Sequence, residues 1–378
     1  MRLLLCSFII AVFYPINIYA QKHKLQSFTI EGSINADTGS IRLSYISAGG
    51  YYPSRIHEMT SIIKNGKFKF NGYLPYPQAF ELDYNQRKYV SDIFIVEQGS
   101  QVIICNVDSS KKTPTVKNNA MKEYVESYRA AYKQSSILSN RLDNKRDSLK
   151  KQFNDKIPDS LKAVLVKELK ELYIKHDKIL LEYVSSHPDS YLALWKLINV
   201  FDFGYEDIFP IIYSKFSPTI KSTYAGIALY KKLKEAGSFT AIGKHFPLIN
   251  AIDEHSNKLT KKDYLKNKFT LVDFWYSNCG PCNAQFDDMK IIYDKYKDKG
   301  FEIIGISTDR IKDKENWLSV INKRKLNWLQ YWDKDGIESK ELSIIVFPTN
   351  FLLDQNGRVI KKNLQPVEIK KYLEANLN

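Results

Sequence analysis

The stretch Asp273-Phe274-Trp275-Tyr276-Ser277-Asn278-Cys279-Gly280-Pro281-Cys282 decides how the C-terminal part of this chain folds and which chemistry it can carry. It completes an apolar run that begins at Phe269, without the alternation of a half-exposed strand, which is the pattern of a strand buried on both faces. Ala284 to Lys297 reads as a helix closed by Gly300, and a second apolar run follows from Phe301 to Ser307. The spacing predicts strand, crossover helix, parallel strand. Two cysteines three apart thus stand where a buried strand gives way to a helix. There the unpaired N–H groups and the helix dipole favour a thiolate, the reactive form of cysteine. Cys279 is expected to be the exposed, attacking sulfur, its pKa drawn from about 8.5 toward ~7. Cys282, one turn further in and better buried, is expected to attack a mixed disulfide formed on Cys279.

Asp273 lies inside the apolar strand, where a carboxylate is costly, so its pKa is expected to be raised. It is placed to take the proton of Cys282 and return it, as general base and then acid. Phe347-Pro348-Thr349 precedes a further strand. A proline has no N–H for a central ladder, so Pro348 is expected at the strand's start, after a cis peptide bond that sets the Phe347 backbone against Cys279. Trp275, Gly280, Pro281, Phe347 and Pro348 are the expected substrate contacts.

From about Gly243 to Asn378 the chain resembles the thioredoxin superfamily, most closely the exported thiol-disulfide oxidoreductases of the TlpA and ResA type. The resemblance implies that Cys279 attacks, Cys282 resolves, Asp273 is the buried acid and Pro348 is the cis-proline beside the site. The 66 residues from Cys282 to Pro348 exceed the interval of plain thioredoxin and imply an inserted strand and helix within Asp309 to Gly336. Two positions depart from the family pattern: Asn278 replaces the tryptophan usual before the first cysteine, and Gln285 replaces a glutamate common three residues after the second. Both bear on the surface beside Cys279 and so on partner choice.

Upstream the period changes twice. From about Leu25 to Val107, strand-like segments such as Phe28 to Ile30, Ile41 to Tyr45, Phe68 to Phe70 and Val102 to Cys105 alternate with turn signals, among them the hairpin pair Asn65-Gly66. This reads as an all-β sandwich or barrel, with Cys105 a buried strand thiol. Its segment around Asn65 to Gly72 resembles a domain of unknown function often fused before such modules. From about Asn118 to Ala236 the period is helical: Leu165, Leu169, Leu172, Leu180 and Val184 recur at spacings that bury one stripe. Pro158-Asp159-Ser160 and Pro188-Asp189-Ser190 mark segment ends, and Tyr124, Tyr128 and Tyr132 at i, i+4, i+8 read as packing. The charged tract from Arg141 to Lys156 reads as a solvated helix face. The chain is therefore expected to be multidomain: 1–20 a signal peptide, 21–117 β-rich, 118–236 an all-α connector, 237–378 an α/β thioredoxin-like fold.

Arg2 followed by the apolar Leu3 to Val12 and the exit Asn17-Ile18-Tyr19-Ala20 has the layout of a cleaved secretory signal, with Cys6 discarded. Removing these residues lowers the formal charge from +14 to +13. The lysines are spread along the chain, which fits a solvated face better than a nucleic-acid groove, and an exported, periplasmic protein has no nucleic acid to meet. The expected partners are exported proteins with cysteines or disulfides and a membrane or periplasmic electron donor, with no cofactor and no metal. His245 and His255 stand far from the cysteines and supply no zinc-ligand pair. A peroxidase of the same fold would need a Pro-x-x-x-Thr-x-x-Cys loop, which Trp275 to Asn278 do not form. A binding protein with a structural disulfide is the other rival, separable by a reduction potential below about −300 mV.

Overall fold

The structure, a computed structural model, describes residues 24–47, 50–108 and 114–377. The proposed signal segment lies outside the described residues. The β-rich region is a half-barrel formed by one nine-stranded sheet: β1 (Gln26–Ile34), β2 (Thr38–Ser44), β3 (Met59–Lys64), β4 (Lys67–Leu74), β5 (Gln78–Tyr84), β6 (Tyr89–Val90), β7 (Phe94–Val96), β8 (Gly99–Cys105) and β9 (Thr115–Lys117). The strands follow the order β6-β5-β2-β3-β4-β1-β8-β9, with β7 paired to β5. The pairings are antiparallel except β1 with β8. Asn65 and Gly66 both take positive φ, 49° and 71°, and close the β3–β4 hairpin. Cys105 is buried, and burial pushes its thiol up to about 12, so it stays protonated at neutral pH.

The helical region contains α1 (Lys133–Gln152), α2 (Asp159–Ser186), α3 (Tyr191–Phe201), α4 (Phe209–Lys215) and α5 (Tyr224–Thr240). Ser190 caps α3 by accepting from the Ala193 N–H. The apolar stripe of α2 is buried unevenly: Leu180, Tyr183 and Val184 enter the core shared with the half-barrel and Leu172 is buried, whereas Val164 and Tyr173 are exposed. Tyr124, Tyr128 and Tyr132 stack on one another with centroids 5.9 and 4.6 Å apart, as a packing column. The last helix runs to Thr240, past the expected boundary at 236. Gly237 lies inside it because the Tyr205 ring fills the place of a side chain: a Cβ there would stand 2.6 Å from the Tyr205 hydroxyl.

The C-terminal region is a five-stranded sheet built from β10 (Phe269–Trp275), α6 (Gly280–Tyr296), β11 (Phe301–Ser307), α7 (Lys314–Arg324), β12 (Leu329–Trp332), β13 (Thr349–Asp354), β14 (Val359–Lys362) and α8 (Pro366–Asn376). The order is β12-β11-β10-β13-β14; β10, β11 and β12 run parallel and β13 antiparallel to β10. The expected insert is present as α7 and the edge strand β12. Alternate residues of β10 separate two apolar layers: Leu271 and Trp275 join the layer of α6 and the two cysteines, while Val272 and Phe274 join the opposite one.

The helical region docks at one particular end of this sheet. Lys362 ends β14 opposite Phe351, at the same end as Trp275 and Pro348. Its ammonium donates to the Tyr205 carbonyl at 3.2 Å and lies 3.8 Å from both Glu206 and Asp207. Asn363 donates to Glu206 at 3.0 Å, Lys170 of α2 donates to the Asn363 carbonyl, and α2 also packs on α6.

Candidate active site

The apolar β10 delivers the chain to the sheet end at Trp275, and two sets of hydrogen bonds shape the turn that follows. The Trp275 carbonyl accepts from Thr308 N–H at 2.9 Å. Asp309, just past β11 and buried, accepts from Ser277 N–H at 2.9 Å, from the Ser277 hydroxyl at 2.7 Å and from the Ser307 hydroxyl at 2.7 Å. From the other side the Asn283 amide donates to the carbonyls of Ser277 and Cys279, each at 2.9 Å. Asp309 and Asn283 thus fix the turn that presents the cysteines. Sequence reading treated Asp309 only as the start of the insert and passed over Asn283; the one available signal was a Ser-x-Asp at the end of a buried strand.

Cys279 is the N-cap of α6, which begins at Gly280, earlier than the Ala284 read from periodicity because Pro281 suits a first helical turn. Cys279 and Cys282 form a disulfide with Cα atoms 5.2 Å apart, and the Cys282 N–H donates to Cys279 Sγ at 3.1 Å. A sulfur held there receives the helix's unpaired N–H groups, so the same position would stabilise its thiolate after reduction. The expectation that Cys279 is exposed does not hold for the oxidised state: both cysteines are 1% exposed. The approach remains open at Gly280, where a Cβ would meet nothing within 4 Å.

Asp273 shares the face of Leu271 and Trp275 and so lies in the layer below the disulfide. Burial pushes its carboxyl up to about 7, and its Oδ1 has no hydrogen-bond partner. Pro348 follows a cis peptide bond from Phe347 and immediately precedes β13, the place expected for it. Phe347 packs edge-on against Tyr276 at 5.5 Å and touches the cysteine layer. The N–H groups of Ile345, Val346 and Phe347 have no partner among the described residues.

Gly280, Pro281, Phe347 and Pro348 reach the surface around the disulfide. Trp275 does not, and its expected contact with substrate is corrected: it is 1% exposed and packs edge-on against Phe286 at 5.1 Å. The alternation that turns Asp273 inward turns Trp275 inward as well. Gln285 is likewise buried, its amide donating to Gln365 at the start of α8, so this position ties two helices together and leaves the surface beside Cys279 to Asn278.

Residues 242–362 match the AhpC/TSA family. Over 161 residues the chain is 33% identical to the thiol-disulfide oxidoreductase ResA of Bacillus cereus, covering 42% of this chain and 89% of that protein. The chain belongs to the ResA-type thiol-disulfide oxidoreductases. A more distant relative of this family is the sporulation thiol-disulfide oxidoreductase A of Bacillus subtilis, 27% identical over 29% of this chain and 67% of its own length. Among solved structures, the thioredoxin domain of a thiol-disulfide oxidoreductase from Bacteroides vulgatus is 32% identical, covering 36% of this chain and 99% of that one, with a TM-score of 0.34. The ResA-type oxidoreductase described here is therefore an enzyme with a thioredoxin-like C-terminal region, preceded by a half-barrel and a helical region.

Proposed function

We propose that this enzyme is exported and reduces disulfides of exported proteins through Cys279 and Cys282, drawing electrons from a membrane or periplasmic dithiol donor. The observation that carries the reading is the placement of Cys279 at the N-cap of α6, bonded to Cys282 above a buried acid with an unpartnered oxygen. In the reduced enzyme the Cys279 thiolate attacks one sulfur of a substrate disulfide; the substrate's S–S bond breaks, and its other sulfur leaves and takes a proton. Cys282 then gives its proton to the Asp273 carboxylate and attacks Cys279 Sγ. The Cys279–Cys282 bond forms, the bond from Cys279 to substrate breaks, and the substrate leaves with its second thiol. Two electrons have passed to the substrate, and the donor restores the dithiol.

The apolar rim of Tyr276 and Phe347, with the free N–H groups of Ile345, Val346 and Phe347, suits an extended peptide around the substrate cysteine. The layout of residues 1–20 supports export. The test is capture in cells. Cys282→Ser should accumulate covalent complexes with exported proteins that dissolve on adding reductant, and Cys279→Ser should capture almost none. Equal capture by both variants overturns the order of attack; no capture by either, with the pair permanently oxidised, supports a structural disulfide instead. An equilibrium titration against glutathione sets the direction: a value near ~−270 mV supports reduction and one near ~−120 mV oxidation.

A further inference from the structure

The sheet carries a row of polar residues beneath the disulfide that the mechanism uses only in part. Reading across the strands in register, Asn350 of β13 faces Asp273 of β10, Asp273 faces Gly305 of β11, and Gly305 faces Gln330 of β12. All four positions belong to the sheet face covered by α6 and its cysteines. Residues on either side of the row in the same face, such as Leu271, Ile303 and Trp332, are apolar. A polar row through an apolar layer is costly unless its groups are satisfied or used.

The four members differ in how they are engaged. Asn350 is fully committed, donating to the Leu364 carbonyl at 2.9 Å and accepting from its N–H at 2.8 Å. Gly305 contributes no side chain, and its place is taken by Gln330: a Cβ on Gly305 would overlap the Gln330 amide. That amide is therefore laid across β11 in the direction of Asp273. Both its oxygen and its nitrogen are buried without a partner, as is Oδ1 of Asp273. A glutamine amide can accept from a protonated carboxyl through its oxygen and donate to a carboxylate through its nitrogen, and rotation about its soft terminal torsion exchanges the two.

We infer that Gln330 is a positioning residue for Asp273: its amide, admitted by Gly305, can follow the carboxyl through both protonation states but favours the carboxylate, the form that takes the proton of Cys282. The inference rests on the relay proposed for Asp273. It also gives the inserted strand β12 a part in the chemistry, because Gln330 comes from the insert. The titratable groups facing this layer from the elements packed on it are Cys279, Cys282, Tyr293 and Tyr296 of α6, Tyr372 of α8, and Asp309 beyond β11, whose carboxylate is held by Ser277 and Ser307.

The test uses the full-length enzyme and follows the second chemical step, release of a preformed mixed disulfide between Cys279 and a thionitrobenzoate label, as a function of pH. Gln330→Met keeps the volume and removes the amide. It should move the rising limb of the profile upward by about one pH unit and slow release at neutral pH by about tenfold. In an Asp273→Asn background the same substitution should change nothing further, since a residue acting through Asp273 loses its effect with it. An unmoved profile for Gln330→Met, while Asp273→Asn slows release, overturns the role of Gln330 alone. Equal slowing by Gln330→Met with and without Asp273 overturns it too, by assigning the effect to packing. A release rate insensitive to Asp273→Asn overturns the relay itself and this inference with it.

Discussion

Asp273 is where stability and chemistry pull in opposite directions. Its carboxyl is pushed up to about 7 by burial alone, from the ordinary 3.8. Between those values the folded protein holds a proton that the unfolded chain releases, so stability falls as pH rises through that window and is level above it. At 1.36 kcal/mol per unit the cost above neutrality is roughly 4 kcal/mol. Asp273→Asn in the oxidised enzyme should therefore raise the urea midpoint clearly at about pH 8 and little at about pH 4, while slowing resolution. A gain that is the same at both pH values would mean that the charge is not what burial penalises. Asp309 makes the opposite case, because its buried oxygens are all in use. Asp309→Ala would strand the Ser277 and Ser307 donors and should cost about 3 kcal/mol, measurable by urea unfolding.

At the scale of the element, legibility followed how far a segment's burial depends on its own pattern. β10 and β11 were legible because a parallel strand buried on both faces writes an unbroken apolar run, whereas the apolar periodicity placed the start of α6 four residues late. β5 was not, although six of its seven residues are buried, because Glu81 and Asp83 interrupt the run. Asp83 is tolerated by a 2.7 Å pair with Arg42 on β2 and a bond from Arg87 N–H, partners that sequence order does not announce. The polar row under the disulfide was half legible for a related reason: Asp273 stood out, whereas Gln330 gains meaning only from a register that places Gly305 beside it. The Asn65-Gly66 hairpin was readable because the requirement is local. Gly66→Ala would force a side chain into positive φ, 2.8 Å from the Ile34 carbonyl. It should cost about 1–2 kcal/mol in urea unfolding and leave the redox potential of Cys279 and Cys282 unchanged. A shifted potential would show that the half-barrel is coupled to the site more tightly than its distance along the chain suggests.

For the whole molecule, the informative feature is the seam between the helical region and the catalytic end of the sheet, whose partners lie 157 residues apart and left no trace in the sequence pattern. Lys362 is 7% exposed between Glu206 and Asp207, with the Tyr205 ring 4.9 Å from its ammonium. Asp177 of α2 is pushed up to about 7 by burial first and by the charge of Glu206 second, and burial raises Glu206 as well. Burial thus works against the charged form of both acids in the docked state. The unfolded chain releases their protons first, so docking weakens as pH rises from the ordinary carboxylate range toward 7. Lys362→Met removes the cation that offsets this charge while keeping most of the packing, so its effect should grow with pH. Half-exposed partners limit the loss to about 2 kcal/mol. Limited proteolysis across residues 202–208 should then be accelerated more at about pH 8 than at about pH 5. Glu206→Gln in the same chain should restore much of the resistance by removing the stranded charge. Acceleration that is equal at both pH values, or unrelieved by Glu206→Gln, would mean that the seam is held by packing and that its charges are incidental.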